Sequence, residues 1–233
     1  MRLYLSSLAC VAAVAGLAGC GSDGPGTSAP AASPSSTSSA PSTSAPTSTP
    51  SAAAAPDGQT ITIKGNDALV WGDGPYGVVL AHGRSYDAAS WKAQAPQIAA
   101  QGATVIAVES IEPQAILDAV EKLQGDGITK VALMGGSAGA DAILQLASRE
   151  PDLADQLVLL SPNRVISGLG SQPKLFIASA DEPNVEVSRE LASSSPGDDN
   201  DVEIVPGRAH AQAILKKDAD GSVLALVLDR LEQ

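Results

Sequence analysis

Four short apolar runs after residue 56, "VVLAH", "TVIAV", "VALM" and "LVLL", restrict the folding of this chain more than any other feature. None alternates with polar residues. A strand with one face in water alternates, whereas a strand covered on both faces does not. Strands are expected at Thr60–Ile63, Tyr76–Ala81, Thr104–Val108, Lys130–Met134, Gln156–Leu160, Lys174–Ala178 and Val202–Val205. Amphipathic stretches at helical spacing separate most of them: Ala88–Gln101, Pro113–Leu123, Ala138–Ser148 and Val185–Ser193, with Gly221–Leu231 last. Strand and helix in alternation predict an α/β fold, a mostly parallel central sheet with helices on both faces. In such sheets reactive groups collect beyond the carboxyl ends of the strands.

The residues before Asp57 read differently. Met1-Arg2 gives a short positive start, Leu3 to Ala18 is almost continuously apolar, and the run ends in Leu17-Ala18-Gly19-Cys20. It is too short for a comfortable membrane span and suits the apolar region of a signal peptide. Those last four residues resemble the lipobox of bacterial lipoproteins. The resemblance implies cleavage before Cys20, a diacylglyceryl thioether on its sulfur, and an anchor on the outer face of the bacterial cytoplasmic membrane. From Gly21 to Pro56 the chain is built of Ser, Thr, Pro, Ala and Gly, apart from Asp23, with no aromatic residue and no apolar period. Such a segment has nothing to bury in return for its ordering entropy, so it reads as a linker. Over about 36 residues it would span roughly 30 to 35 Å as a flexible coil and roughly 110 Å as a polyproline-like rod. The expected organisation is a signal peptide over 1–19, a lipid-anchored linker over 20–56 and a folded domain over 57–233.

Composition narrows the chemistry. With 26 acidic and 14 basic residues the formal charge is −12, so the protein's field repels nucleic acid, and no nucleic-acid partner is expected. Cys10 and Cys20 are the two cysteines, which leaves the folded part without a thiol for catalysis, a disulfide or a metal. Only His82 and His210 supply imidazole, too few for a transition-metal site. The acidic run Asp198-Asp199-Asn200-Asp201 lacks the spacing and glycine of a calcium loop and reads as a solvated turn. "GDGPYG" is not followed by Lys and Ser or Thr, so it is no phosphate loop. No metal and no cofactor is expected.

The stretch "VALMGGSAGADAIL" places Ser137 between the strand Lys130–Met134 and the helix starting near Ala138. Gly135-x-Ser137-x-Gly139 is weak as a pattern in a chain so rich in glycine and serine, and its position gives it weight. A sharp strand-to-helix turn needs small neighbours, and it pushes the hydroxyl outward over a helix N-terminus. In this the sequence resembles the α/β-hydrolase family and its nucleophile elbow, over nearly all of Thr60–Gln233. The resemblance implies a serine nucleophile, Ser137, served by a histidine base and an orienting acid. His210, in "VPGRAHAQAIL" after the last strand, stands where the family carries its base. His82, in "VVLAHGRSYD", stands where the family carries a His-Gly pair, so His82 and Gly83 are expected to hold a loop. The acid should follow the strand Lys174–Ala178, where Asp181 and Glu182 are adjacent. Aspartate is the family's commoner choice, whereas the register before Pro183 favours Glu182. Backbone N–H groups of Ala138 and Arg84 are the implied oxyanion donors.

Many relatives insert a helical lid after the strand that corresponds here to Gln156–Leu160. This chain has only "SPNRVISGLGSQP" there, and its aromatic content is 3%. An uncovered cleft with few aromatics argues against a long-chain lipase and against stacking on polysaccharide. The reading is therefore an extracytoplasmic, membrane-anchored serine hydrolase taking small acyl esters or thioesters. A peptidase or acyltransferase would use the same triad, and a non-catalytic binding module would use the same fold. Oligomeric state is not set by the sequence.

Overall fold

A computed structural model of the chain describes residues 56–231. The expected signal peptide, Cys20 and nearly all of the linker lie outside the described residues. The chain divides between Thr49 and Pro50, and the described residues all fall in the second unit.

The unit opens with a hairpin, β1 (Gln59–Ile63) and β2 (Asn66–Trp71), paired antiparallel with Ile63 opposite Asn66. The two residues between them, Lys64 and Gly65, both have positive φ, at 47° and 89°, the turn geometry that matches the twist of a tight hairpin. β2 was not expected, because "NDALVW" begins with two polar residues. The Lys-Gly pair after "ITI" was its signal. Six strands follow: β3 (Tyr76–Ala81), β4 (Ala103–Val108), β5 (Lys130–Gly136), β6 (Gln156–Leu160), β7 (Lys174–Ser179) and β8 (Asn200–Val205). They form one eight-stranded sheet in the order β1-β2-β4-β3-β5-β6-β7-β8. β2 runs antiparallel to β1 and β4, and β4 through β8 are mutually parallel with β3.

The helices are α1 (Ala95–Ala100), α2 (Pro113–Gly125), α3 (Ala138–Arg149), α4 (Val185–Ser194), α5 (Gln212–Lys217) and α6 (Ser222–Leu231). The single helix expected over Ala88–Gln101 is in fact two pieces. Asp87 caps a 3-10 turn at Ala88–Trp91 by accepting from the Ser90 N–H, and α1 starts afresh with a proline in its first turn. Pro96 has no N–H to donate and its ring clashes with the carbonyl four residues back, so one continuous helix is excluded. α5 was not expected; six residues are too few to show a helical period.

Period-two order lies hidden inside the apolar runs. Val79 and Ala81 face the cluster built with Ile116, Ile143 and Leu191 of α2, α3 and α4. Val78 and Leu80 face the opposite cluster, with Ile98, Leu215 and Val227 of α1, α5 and α6. Both faces are covered, and each fully buried aliphatic side chain stabilises by about 1.5–3 kcal/mol. The acidic run near residue 198 is not a free turn. β8 begins within it at Asn200, and Asp199 and Asp201 both pair with Arg230 of α6.

This topology decides where chemistry can occur. From β3 the chain crosses to β4 on one side, and from β5 it continues to β6 on the other. The carboxyl ends of β3 and β5, side by side, therefore flank the crevice where the winding direction reverses, the usual ligand position in open α/β sheets.

Candidate active site

Ser137 closes β5 and caps α3 in a strained conformation, with φ 51° and ψ −113°. Among the described residues four non-glycine positions have positive φ, and three of them, Ser137, Ser161 and Ala211, belong to this site. Such strain costs on the order of 1–3 kcal/mol per residue, and it gathers where it is functional. The glycines around Ser137 are required by close packing. A Cβ on Gly139 would lie 2.4 Å from the Ala81 carbonyl oxygen, and one on Gly135 would lie 2.8 Å from the Gly139 carbonyl carbon. Both collisions are with backbone, so α3 could not approach β3 and β5 with larger residues at either place.

His210 stands in the loop between β8 and α5. Its Nε2 lies 2.8 Å from Ser137 Oγ, and its Nδ1 lies 2.5 Å from Glu182 Oε2. An ionised carboxylate only accepts, so Nδ1 carries the proton and Nε2 is left to accept from the serine hydroxyl. Glu182 is buried, and its other oxygen, Oε1, accepts from the Ser179 N–H at 2.6 Å and from the Ser161 hydroxyl at 2.8 Å. Burial alone pushes this carboxyl up, but the hydrogen bonds from His210, Ser179 and Ser161 together outweigh it and hold the group below the ordinary glutamate value. Asp181 is exposed; its backbone N–H donates to the Gly207 carbonyl, and its side chain does not join His210. Of the two adjacent acids, the structure brings Glu182 to the histidine.

His82 is buried behind the loop that follows β3, with Nδ1 2.8 Å from the Gly83 carbonyl and Nε2 2.9 Å from the Glu109 carbonyl. It joins the ends of β3 and β4 and does not face Ser137. Arg84 and Ala138 line one cleft of about 440 Å³ together with Ser137 and His210. As the first residue of α3, Ala138 has an N–H without an intrahelical acceptor. A larger cavity of about 520 Å³ lies between β8, α5 and α6 and holds neither Ser137 nor His210 in its wall. The smaller cleft is the candidate site because the reactive groups converge there.

Three polar residues of the site were not anticipated. Ser161, at the end of β6, donates to Glu182 and accepts from the Ala211 N–H at 3.0 Å. Gln212 is fully buried, accepts from the Gly83 N–H at 3.2 Å and donates to Ser90 Oγ at 3.1 Å, so it braces the loop carrying Arg84. Asn163 donates to Asp141 Oδ2 at 3.0 Å and reaches Ser137 Oγ at 3.4 Å. Position after a strand end was the available signal for Ser161, and adjacency to the loop histidine for Gln212; Asn163 has none.

Neither a protein-family model nor a curated protein sequence matches this chain. Solved structures do. A CIB-like hydrolase from Thermoplasma acidophilum superimposes with a TM-score of 0.59 at 17% identity, over 75% of this chain and 96% of that one. A monoacylglycerol lipase from Paleococcus ferrophilus gives 0.59 at 13% identity, over 72% and 98%. Epoxide Hydrolase A from Mycobacterium thermoresistibile gives 0.57 at 14% identity, over 74% and 97%. At these identities the likeness is one of architecture: the chain has an α/β fold with a mostly parallel eight-stranded sheet, and it shares that fold with α/β hydrolases.

Proposed function

We propose that the protein is a serine hydrolase of small acyl esters or thioesters, working through an acyl-enzyme on Ser137. The observation that carries this reading is the unbroken hydrogen-bonded line from Ser137 Oγ through both nitrogens of His210 to Glu182. Ser137 Oγ attacks the acyl carbon while its proton passes to His210 Nε2, and Glu182 stabilises the imidazolium that forms. Negative charge developing on the acyl oxygen meets the backbone N–H groups of Ala138 and Arg84. The intermediate collapses, the leaving oxygen or sulfur takes the proton from His210, and the acyl group stays on Ser137. Water then repeats the sequence and releases the acid. Residues 161–173, between β6 and β7, contain no helix or strand, which supports an uncovered site suited to short acyl groups.

A fluorophosphonate probe should label Ser137 in the folded protein and fail on Ser137→Ala; a panel of short and long esters and thioesters, with the same variant as control, then fixes the class. Absence of labelling in the folded protein would leave the fold serving as a binding module. We also propose that the domain is anchored through a lipidated Cys20, as its lipobox-like sequence suggests. Metabolic labelling with a clickable fatty acid should mark the wild type, and equal labelling of Cys20→Ser would refute the anchor.

A further inference from the structure

We propose that the acyl group of the substrate carries an anion, a carboxylate a few bonds beyond the reacting carbonyl, and that Arg84 receives it with help from Arg164. The inference rests on the hydrolase reading above and names the substrate class for that site.

The first observation is a shared wall. A groove of about 300 Å³ adjoins the catalytic cleft, and both cavities are lined by Arg84, Ala138, Asp141 and Arg164. The groove runs on to Pro113, at the start of α2, and to Gln145 on α3. His210 lines the cleft and not the groove. Because the leaving group must take its proton from His210 Nε2, it lies on the histidine side, and the acyl group extends the other way, into the groove.

The second observation is charge. Acids outnumber bases 26 to 14 in the chain, yet in the shared wall the balance reverses, with two arginines against one aspartate. That aspartate is already engaged: Asp141 accepts from the Asn163 N–H at 2.8 Å and Asn163 Nδ2 at 3.0 Å, and Arg164 Nε lies 3.6 Å away. Arg84 has no ion-pair or hydrogen-bond partner among the described residues. Lys216 adds positive charge behind the same loop, with Nζ 4.7 Å from the centre of the Tyr86 ring. The groove ends at the N-terminus of α2, whose dipole has the same sign, but Glu112 lines it there, so the positive excess is confined to the wall shared with the cleft, where Arg84 lies. An arginine can grip a carboxylate through two parallel hydrogen bonds, which makes a carboxylate the best-matched anion. Arg84 lines the same cleft as Ser137, so the carboxylate it meets lies a short way beyond the reacting carbonyl, as in a short dicarboxylic acid monoester.

Monoethyl succinate and ethyl butyrate match in length and differ in that charge. With the full chain purified in detergent, ethanol release at low salt should give monoethyl succinate a kcat/KM about tenfold or more above that of ethyl butyrate. Added 0.5 M salt should shrink the preference (the screening length falls to roughly 4 Å). The ratio of the two constants should fall toward one in Arg84→Gln and fall partway in Arg164→Gln; as a ratio within each variant, it cancels any general loss of catalysis. A ratio of one or less in the wild type, or an unchanged ratio in Arg84→Gln and in the double variant, overturns the inference. Fluorophosphonate labelling of Ser137 without turnover of either ester overturns it while sparing the hydrolase reading. Neither labelling nor turnover overturns both.

Discussion

The Ser161 hydroxyl donates to Glu182 Oε1 across 2.8 Å, so this carboxylate is held from the end of β6 as well as from its own loop. Ser161 Oγ in turn accepts from the Ala211 N–H at 3.0 Å, which ties Glu182, through Ser161, to the backbone beside His210. Ser161 is 1% exposed and sits at φ 49°, so a strained, buried residue connects the two loops that carry Glu182 and His210.

Replacing Ser161 separates its hydroxyl from its backbone. Ser161→Ala orphans a buried N–H and removes a donor from a carboxylate; a loss of about 1–3 kcal/mol in stability and roughly tenfold in kcat is expected. Ser161→Gly loses the same hydroxyl but relieves the positive φ, so it should be the more stable of the two by about 1 kcal/mol and just as slow. Denaturant unfolding and steady-state kinetics on both variants check this, and wild-type kcat in either would refute the role.

Glu182 makes a pH-dependent contribution whose sign follows from its environment. Its carboxyl is held below the ordinary value of 4.5, so its stabilisation is fully present above that value and is lost as pH falls through the lower folded value. In Glu182→Gln the group no longer titrates. The gap in Tm between wild type and Glu182→Gln should therefore be widest above about pH 5 and narrow as pH drops below 4.5. Turnover at neutral pH should fall by roughly 10³–10⁴ in Glu182→Gln, because the imidazole loses its orientation, and change little in Asp181→Ala. A gap that is constant with pH, or the reverse ranking of the two variants, would assign the acid elsewhere.

The parallel core was legible in the sequence because its strands are apolar on both faces, and the ends expected for β3 and β6 coincide with those observed. The antiparallel hairpin was half legible, since β2 lies toward the sheet's edge and exposes polar residues that dilute the pattern. Ser137 and His210 could be named as a candidate pair because a serine among glycines after a strand is a local feature and the hydrolase resemblance points to a histidine after the last strand; the fold brings the two to 2.8 Å. The choice between Asp181 and Glu182 turns on which side chain the loop directs inward, a property of backbone path. Ser161 and Gln212 act by contacts 50 and 129 residues away in sequence, with Ala211 and Gly83, which no local window contains.

The strain at Ser137 predicts a trade between stability and reaction. Ser137→Gly relaxes the φ of 51° and should raise stability by about 1 kcal/mol while abolishing acyl-enzyme formation. Ser137→Ala should be equally inactive without that gain, because alanine keeps the Cβ that makes the conformation costly. Thermal melts of the two inactive variants make the comparison, and indistinguishable Tm values would mean that the elbow stores no strain.

Gln212 gives the most stringent check on how the oxyanion side of the cleft is held. Its side chain fills the space that a Cβ on Gly136 would take, which would lie 2.7 Å from Gln212 Oε1, and its two hydrogen bonds join α5 to the Gly83 N–H and to Ser90. Gln212→Leu keeps the approximate volume but leaves the Gly83 N–H buried without an acceptor, at a cost of about 1–3 kcal/mol in stability. The residue after Gly83 is Arg84, the proposed second oxyanion donor, so a shift of this loop weakens an interaction made in the transition state more than one made with bound ester. The expected signature is a fall in kcat of roughly ten- to a hundredfold with KM nearly unchanged. A rise in KM at constant kcat would instead mean that the loop serves substrate binding, and that the second donor is not the Arg84 backbone.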